Sequence, residues 1–271
     1  MGTPKSYGVN HQNILNNAID SHIEELQING FSILEDVLNN DEIEECRFKL
    51  DKLYQYQEKH FGSDNLEKIN EKNVVRCPLV YEEFFLNIAV NKTVLEIVKK
   101  MIGDYFILHL QNGVINKPNE IHHQGSWHRD LPYQNFVISK PLAISALFCI
   151  DDFTTESGGT FVLPHSHKID IVPSLQFIEK CSKQIIAKAG AVILFDSMLL
   201  HRAGYNSAKF IRRAINNVYV VSILKQQINL AVALKGKYSE DKFLAKFLGY
   251  ETNSPSDDVE WRNKRLKKQK T

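Results

Sequence analysis

Between residues 104 and 224 the chain breaks into short apolar runs, at 105–110, 142–150, 160–163, 191–195 and 214–223, with Gly, Pro, Asn and Asp in the gaps. Runs of this length, rich in branched and aromatic residues, read as strands. They are not interleaved in the manner of alternating βαβ units. That restricts the chain to a mainly β core, and the expectation is a jelly-roll or cupin-type barrel.

Helical patterns flank this region. Leu15, Ala18, Ile19, His22, Ile23 and Leu26 recur at helical spacing, with Gly30 placed to end the helix. Residues 31–37 read as a short extended piece. Asp41 followed by Glu44 has the form of a capping box, and Ile43, Cys46, Leu50, Leu53 and Tyr54 form one buried helical stripe. Residues 62–73 turn polar and lose periodicity, which predicts a loop. Val94, Leu95, Val98 and Met101 mark another helix before Gly103, and Leu230, Leu234, Phe243, Leu244 and Phe247 supply apolar contacts for C-terminal helical pieces. No internal repeat divides the 271 residues, so one domain is expected: 11–103 helical, 104–224 the β core, 225–250 C-terminal helices and 251–271 a charged, solvated tail.

Inside the β region lies Ser126-Trp127-His128-Arg129-Asp130. On an extended strand, side chains two apart leave the same face, so His128 and Asp130 can grip one ion. His201 follows the run at 191–195 and offers a second imidazole, while Arg212 opens the last run. Both therefore stand at strand ends, where a barrel mouth lies. Two histidines and one carboxylate leave half of an octahedron open, the arrangement of non-haem Fe(II) sites. A lone H-x-D recurs by chance; its setting among strand ends is what raises it. Residues 128–135 also satisfy the kinase catalytic-loop pattern H-R-D-L-x-x-x-N. A kinase needs a Gly-rich loop, a strand lysine and an Asp-Phe-Gly segment as well. The first hundred residues contain neither of the first two, and Asp152-Phe153-Thr154 lacks the glycine.

Taken together, Ile115-Asn116-Lys117-Pro118, Trp127-His128-Arg129-Asp130, the stretch 157–168 and the segment from His201 through Asn206 to Arg212 resemble the phytanoyl-CoA dioxygenase-like family of Fe(II)/2-oxoglutarate-dependent oxygenases. The resemblance implies a double-stranded β-helix with N-terminal and C-terminal flanking α-helices. It implies His128, Asp130 and His201 as iron ligands, Arg212 as the anchor for 2-oxoglutarate, and O2 as the third reactant. Lys117 matches a lysine that helps to bind 2-oxoglutarate in some members, and Gln111 a glutamine that contacts substrate in a related hydroxylase. Trp127 and Tyr133 are further candidates for substrate contact, with Phe136 and Phe148 as pocket or core residues. His165 stands where the family usually carries glycine, and a turn-capping role is expected. The implied reaction is oxidation, by hydroxylation, of an unactivated C–H bond in a small-molecule metabolite, with release of succinate and CO2. Related halogenases replace the carboxylate held here by Asp130, which argues against halogenation. A non-catalytic cupin-like binding protein is the alternative, and a kinase-like phosphotransferase a third reading.

Arg212 and Arg213 are neighbours, so on a strand only one points inward; the register after His201 favours Arg212. His122 and His123 lie in a polar stretch and are expected at the surface. A formal charge of +1 provides no global field for nucleic acid or membrane, and the basic residues Arg262, Lys264, Arg265, Lys267, Lys268 and Lys270 read as a solvated tail. Cys46, Cys77, Cys149 and Cys181 form no C-x-x-C pair, so reduced buried thiols and a cytoplasmic location are expected. No apolar run approaches the roughly 20 residues of a membrane-spanning helix. Residues 1–6 fit the myristoylation pattern, but a single acyl chain binds membranes only marginally.

Overall fold

The computed structural model describes residues 13–131 and 139–268. The acylation pattern at 1–6, Tyr133 and Phe136 lie outside them. The N-terminal part contributes helices α1 (Ala18–Asn29), α2 (Asn40–Phe61), α3 (Ser63–Lys68), α4 (Phe84–Ala89) and α5 (Lys92–Ile102), with strands β1 (Phe31–Leu34) and β2 (Val74–Arg76) between them. The strand-rich part holds β3 (Phe106–Asn116), β4 (Ala143–Cys149), β5 (Phe161–Val162), β6 (Lys183–Gln184), β7 (Val192–Asp196), β8 (His201–Arg202) and β9 (Arg212–Val221), with α6 (Leu175–Cys181) before β6. Helices α7 (Leu230–Ala233), α8 (Lys242–Phe247) and α9 (Asp258–Lys268) follow.

Two antiparallel sheets form the core: a six-stranded one ordered β1-β7-β4-β9-β3-β2 and a three-stranded one ordered β6-β5-β8. Side chains alternate across the larger sheet with the period of two that a pleat imposes. Ile144, Ala146, Phe148, Val192, Leu194, Ile215 and Tyr219 pack toward the helices. Leu147, Cys149, Ile193, Phe195 and Ala214 pack the other way, with Val162 of the smaller sheet. A sheet buried on both faces needs apolar residues at every position, which is why the runs at 142–150 and 191–195 are nearly continuous.

The helices follow their stripes. Ile43, Cys46, Leu50, Leu53 and Tyr54 are the buried residues of α2, as expected. Leu50 closes on Gly113 of β3, where a Cβ would lie 2.5 Å from the Leu50 Cδ2. Gly30 ends α1 in the left-handed region, with φ 87°. The capping box is displaced from the expected pair. Asn39, with extended φ and ψ, caps α2 together with Glu42, and Asp41 lies inside the first turn. Glu44 instead pairs with Arg47.

Residues 62–73 also depart from expectation, since they contain α3, anchored by buried Leu66. Six residues are too few to display a helical period. The charged C-terminal segment is helical in α9, where residues 261–266 are exposed, and is laced by i,i+4 pairs from Asp258 to Arg262 and from Glu260 to Lys264; Lys270 lies outside the described residues. Strand β3 runs on to Asn116, beyond the apolar run at 105–110, because Gln111, Asn112 and Gly113 stay in the ladder. All four cysteines are free. Among the described residues no helix is long and apolar enough to cross a membrane.

One ionic clasp ties α2 to the strands that carry the candidate site. The Arg213 guanidinium donates two bonds to the Asp51 carboxylate, both 2.8 Å, and a third to Asp151 at 2.9 Å. Arg47 reaches the other Asp151 oxygen at 2.7 Å. Breaking such a network from one side leaves carboxylates without a partner. Replacing Arg213 with Met is therefore expected to lower stability by about 2 kcal/mol, less than a fully buried pair because Asp51 is partly exposed. Urea denaturation of parent and variant checks this; coincident midpoints would count against the clasp.

Candidate metal centre and guanidinium pocket

The site is assembled by a backbone bridge. His128 and His201 exchange both of their hydrogen bonds, N to O at 3.0 and 3.1 Å, so residues 128–130 run antiparallel beside β8. The Asp130 amide continues the contact by donating to the Ser197 carbonyl at 2.9 Å. Outside this bridge 128–130 is not part of a named strand, yet its extended course keeps His128 and Asp130 on one side.

Both imidazoles are aimed by their own chain. His128 Nδ1 lies 2.8 Å from the Ser126 carbonyl oxygen and His201 Nδ1 2.9 Å from that of Leu199. A carbonyl can only accept, so each ring carries its proton on Nδ1 and presents the Nε2 lone pair inward. The Nε2 atoms stand 3.9 and 3.5 Å from Asp130 Oδ1. The three donor atoms lie within 4.8 Å of one another. The other carboxylate oxygen of Asp130 accepts from Ser145 Oγ at 2.6 Å and from Asn216 Nδ2 at 3.4 Å. Ser145 is in turn 2.8 Å from the Ser197 hydroxyl.

Electrostatics favour a charged carboxylate and act unequally on the two rings: burial lowers the His201 pKa, but Asp130 outweighs it and the net shift is upward. Burial raises the Asp130 pKa, but the His201 and His128 rings and the Ser145 hydroxyl outweigh it and hold the carboxyl well below the usual range. Burial and the nearby His201 both lower the pKa of His128.

Arg212 opens β9 opposite Asn116 and is only 2% exposed. Its guanidinium carbon lies 4.3 Å from the Phe153 ring centroid, and among the described residues its Nε and Nη2 have no hydrogen-bond partner. Burial pushes its pKa down to about 10, which leaves it charged at neutral pH. His128, Asp130, His201, Thr160, Asn216 and Arg212 line one shared cavity. Arg213, on the opposite face, is consumed by the clasp to Asp51 and Asp151.

Several other expected residues are placed elsewhere. Gln111 is buried, but its amide is taken up by the backbone, accepting from Leu79 N at 3.0 Å and donating to the Phe85 carbonyl at 2.8 Å. The Lys117 ammonium sits 5.3 Å from the centre of the Tyr54 ring, outside the lining of the cavity. Trp127 packs against Leu163, Ile178 and Leu200, and Phe148 is in the main core. His122 is 7% exposed, against the expectation of a surface residue, whereas His123 is exposed. His165 has φ 68° and bonds the Ile28 carbonyl at 2.7 Å, so it occupies the turn as expected. The left-handed backbone also explains a glycine preference at that position. Sequence reading passed over Ser145, Ser197, Asn216 and Thr160. The signal was available in two cases, since Ser145 and Asn216 are polar interruptions of apolar runs.

Two antiparallel sheets carrying two histidines, one carboxylate and a lone buried arginine define the class of mononuclear iron oxygenases that use 2-oxoglutarate. The sequence model of the phytanoyl-CoA dioxygenase (PhyH) family matches residues 26–214, and the chain belongs to that family. Two uncharacterized proteins, from Mycobacterium bovis and Mycobacterium tuberculosis, are each 32% identical to it over 230 residues, covering 81% of this chain and 81% of theirs. Among solved structures, EctD from S. alaskensis with bound Fe superposes with a TM-score of 0.65 at 20% identity, covering 80% of this chain and 83% of that one. The epimerase SnoN in complex with Fe3+, alpha ketoglutarate and nogalamycin RO superposes with a TM-score of 0.62 at 16% identity, covering 80% and 89%. At these identities the likeness to the two structures is one of fold. Family membership sets aside the phosphotransferase reading of the His-Arg-Asp-Leu run.

Strand β7, which leads into the turn that delivers His201, ends on one more buried carboxylate, Asp196, which accepts from the Met198 amide at 2.9 Å. Burial raises its pKa to about 6. The unfolded chain releases this proton near pH 4, so the residue's contribution to stability is complete below that pH and is lost as pH rises through about 6. Relative to the parent, Asp196→Asn is expected to gain stability as pH rises from 4 to 7, by roughly 3 kcal/mol at most. Urea denaturation across that range tests it, and parallel pH profiles would exclude the effect.

Proposed function

We propose that this chain, folded as a double-stranded β-helix, hydroxylates an unactivated C–H bond of a small-molecule metabolite, using Fe(II), 2-oxoglutarate and O2. One observation carries the reading: a single cavity contains three convergent metal donors and a buried guanidinium with unused donors. The donor set fits the metal, since two neutral imidazoles and one carboxylate from a facial set suit iron(II) and leave positions open. The arginine fits the co-substrate, because a planar fork matches a carboxylate bidentately. EctD with bound Fe and SnoN in complex with Fe3+ and alpha ketoglutarate support the same assignment.

In this reading His128, Asp130 and His201 hold the iron and Arg212 holds the distal carboxylate of 2-oxoglutarate. When bound, iron and 2-oxoglutarate together supply the oxidising chemistry, with succinate and CO2 as by-products. The protein's part is placement and shielding. The Ser126 and Leu199 carbonyls keep both imidazoles in the tautomer that ligates. Ser145 and Asn216 keep one Asp130 oxygen occupied, so that the other faces the rings. Phe153 fixes the plane of the Arg212 guanidinium, and Val114, Leu147 and Phe195 make the remaining wall apolar. Lys117 and Gln111 take no part in this site.

Anaerobic titration of the protein with Fe(II) and 2-oxoglutarate is expected to develop the visible charge-transfer band of the chelate. Asp130→Ala and His201→Ala should remove it. Arg212→Leu should spare iron binding but raise the 2-oxoglutarate requirement roughly 10- to 100-fold, since a hydrogen bond to a charged group contributes about 1.5–3 kcal/mol. A band unchanged in both ligand variants refutes the assignment.

A further inference from the structure

The described arginines divide by what answers their charge. Arg47, Arg76, Arg213 and Arg262 each meet carboxylates. Arg129 is satisfied by backbone carbonyls, with Nε 3.0 Å from Met198 O and Nη2 2.8 Å from Ile169 O. Arg265 is exposed and stacks on Trp261. Two remain, and they have similar surroundings. Arg212 lies 4.3 Å from the Phe153 ring, and Arg202 lies 4.3 Å from the Phe161 ring and 5.4 Å from Trp127. Each has a buried Nε with no hydrogen-bond partner among the described residues. The single hydrogen bond of Arg202 among the described residues, from Nη1 to the Ala203 carbonyl, is long at 3.4 Å.

Stacking accounts for where the Arg202 guanidinium lies but not for its unused donors. The residue is half-buried, and its buried Nε–H without an acceptor is unfavourable until one reaches it. Burial accordingly lowers its pKa, with no carboxylate opposing the effect. The setting shows what can reach it. Arg202 lines a cleft of about 650 Å³, within the ordinary range for small-molecule sites. The lining also includes Arg76, whose charge is already met by Glu71, so Arg202 is the uncompensated arginine of the cleft among the described residues. Ala203 borders both this cleft and the cavity of the histidine–aspartate cluster.

We propose that this cleft receives the organic substrate and that Arg202 grips an anionic group on it, a carboxylate or a phosphate. Calling the ligand a substrate rests on the oxygenase reading above. Because His201 and Arg202 are consecutive on β8, they face opposite ways. The anion is therefore held at the end of the molecule remote from the carbon that is oxidised, and the rest of the ligand reaches the metal ligands past the small Ala203 side chain. The grip is a bidentate, charge-assisted one, so a neutral isostere loses most of it.

Trp127 supplies a direct reporter. The chain has two tryptophans, and Trp261→Phe in exposed α9 leaves Trp127 as the sole indole. In that background, protein loaded anaerobically with Fe(II) and 2-oxoglutarate is titrated with benzoate, octanoate, phenyl phosphate and inorganic phosphate, and with benzamide and octanamide as neutral counterparts. The expected result is a saturable change in Trp127 fluorescence with at least one anion. Its affinity should fall at least tenfold in Arg202→Gln, recover in part in Arg202→Lys, and exceed that of the matching amide at least tenfold where an amide exists. Whether the carboxylates or the phosphates respond identifies the group. No saturable response to any anion, amides binding as tightly as acids, or equal affinities in parent and Arg202→Gln overturns the proposal. The acid-to-amide comparison uses the unaltered site and stands even if a variant folds poorly. The visible iron–2-oxoglutarate band, read in the same samples, separates the two ideas: its absence in the parent defeats the oxygenase reading, whereas its presence without an anion response defeats only the role of Arg202.

Discussion

The pair of backbone hydrogen bonds between His128 and His201 is the contact on which the rest of the site depends. Among the described residues the segment 126–130 has no other ladder partner, and β8 is only two residues long, so the bridge fixes the backbone from which both imidazoles project. The bridge gives residues 126–130 one ladder neighbour, β8, and β8 is held on its other edge by β5. With that backbone fixed, each ring needs only a carbonyl of its own segment to choose its tautomer. Asp130 needs only Ser145 and Asn216 to fix its outer oxygen. The polar chain from Asp130 through Ser145 to Ser197 then returns to the backbone that Asp130 itself contacts, since the Ser197 carbonyl accepts the Asp130 amide. The result is a closed loop of bonds around the carboxylate, which holds the geometry before any ligand arrives.

The same pleat alternation sorts the arginines. Arg212 and Arg213 differ by one position and have opposite fates: one faces the cavity with donors unused, and the other faces outward into a carboxylate clasp. His201 and Arg202 repeat the pattern on β8. A slip of one residue in either strand would exchange these roles, placing a paired arginine in the cavity and turning the ligand away. The Arg213 clasp and the Asn116–Gly204 and Asn206–Asn116 side-chain bonds, at 2.9 and 2.8 Å, secure the two strand ends against such slippage.

Much of this was legible in the residues. The strand runs, the α2 stripe, the helix before Gly103, and the choice of Arg212 over Arg213 follow from period and register alone. What was not legible has physical causes. Strands of two or three residues, such as β2 and β6, leave no period to detect, and α3 is too short for a helical one. Gln111 looks like a ligand because its type is polar, yet its amide closes two backbone gaps between β3 and the helical layer. A motif records the residue type at a position and not the group that consumes it. Lys117 illustrates the same limit: its ammonium is drawn to the Tyr54 face, a contact between segments that no local pattern encodes. Ser145 was legible in principle, as a hydroxyl in an otherwise apolar strand, but a single such interruption does not say which carboxylate it serves.

Charge balance distinguishes this site from a structural ion pair. Asp130 is held between two imidazoles whose Nδ1 protons are fixed by backbone carbonyls, so three donors face a common point. Arg212 lines the same cavity but forms no salt bridge with Asp130, and it is the largest side chain that is almost fully buried. Were stability the only constraint, the two would be paired or replaced by apolar residues, because an uncompensated buried charge destabilises by several kcal/mol. Their separation makes sense if each answers a different guest, a cation at the carboxylate and an anion at the guanidinium. A group that bears both a metal-chelating end and a carboxylate end spans the two, which is the electrostatic reason that the empty charges and the family's co-substrate fit each other.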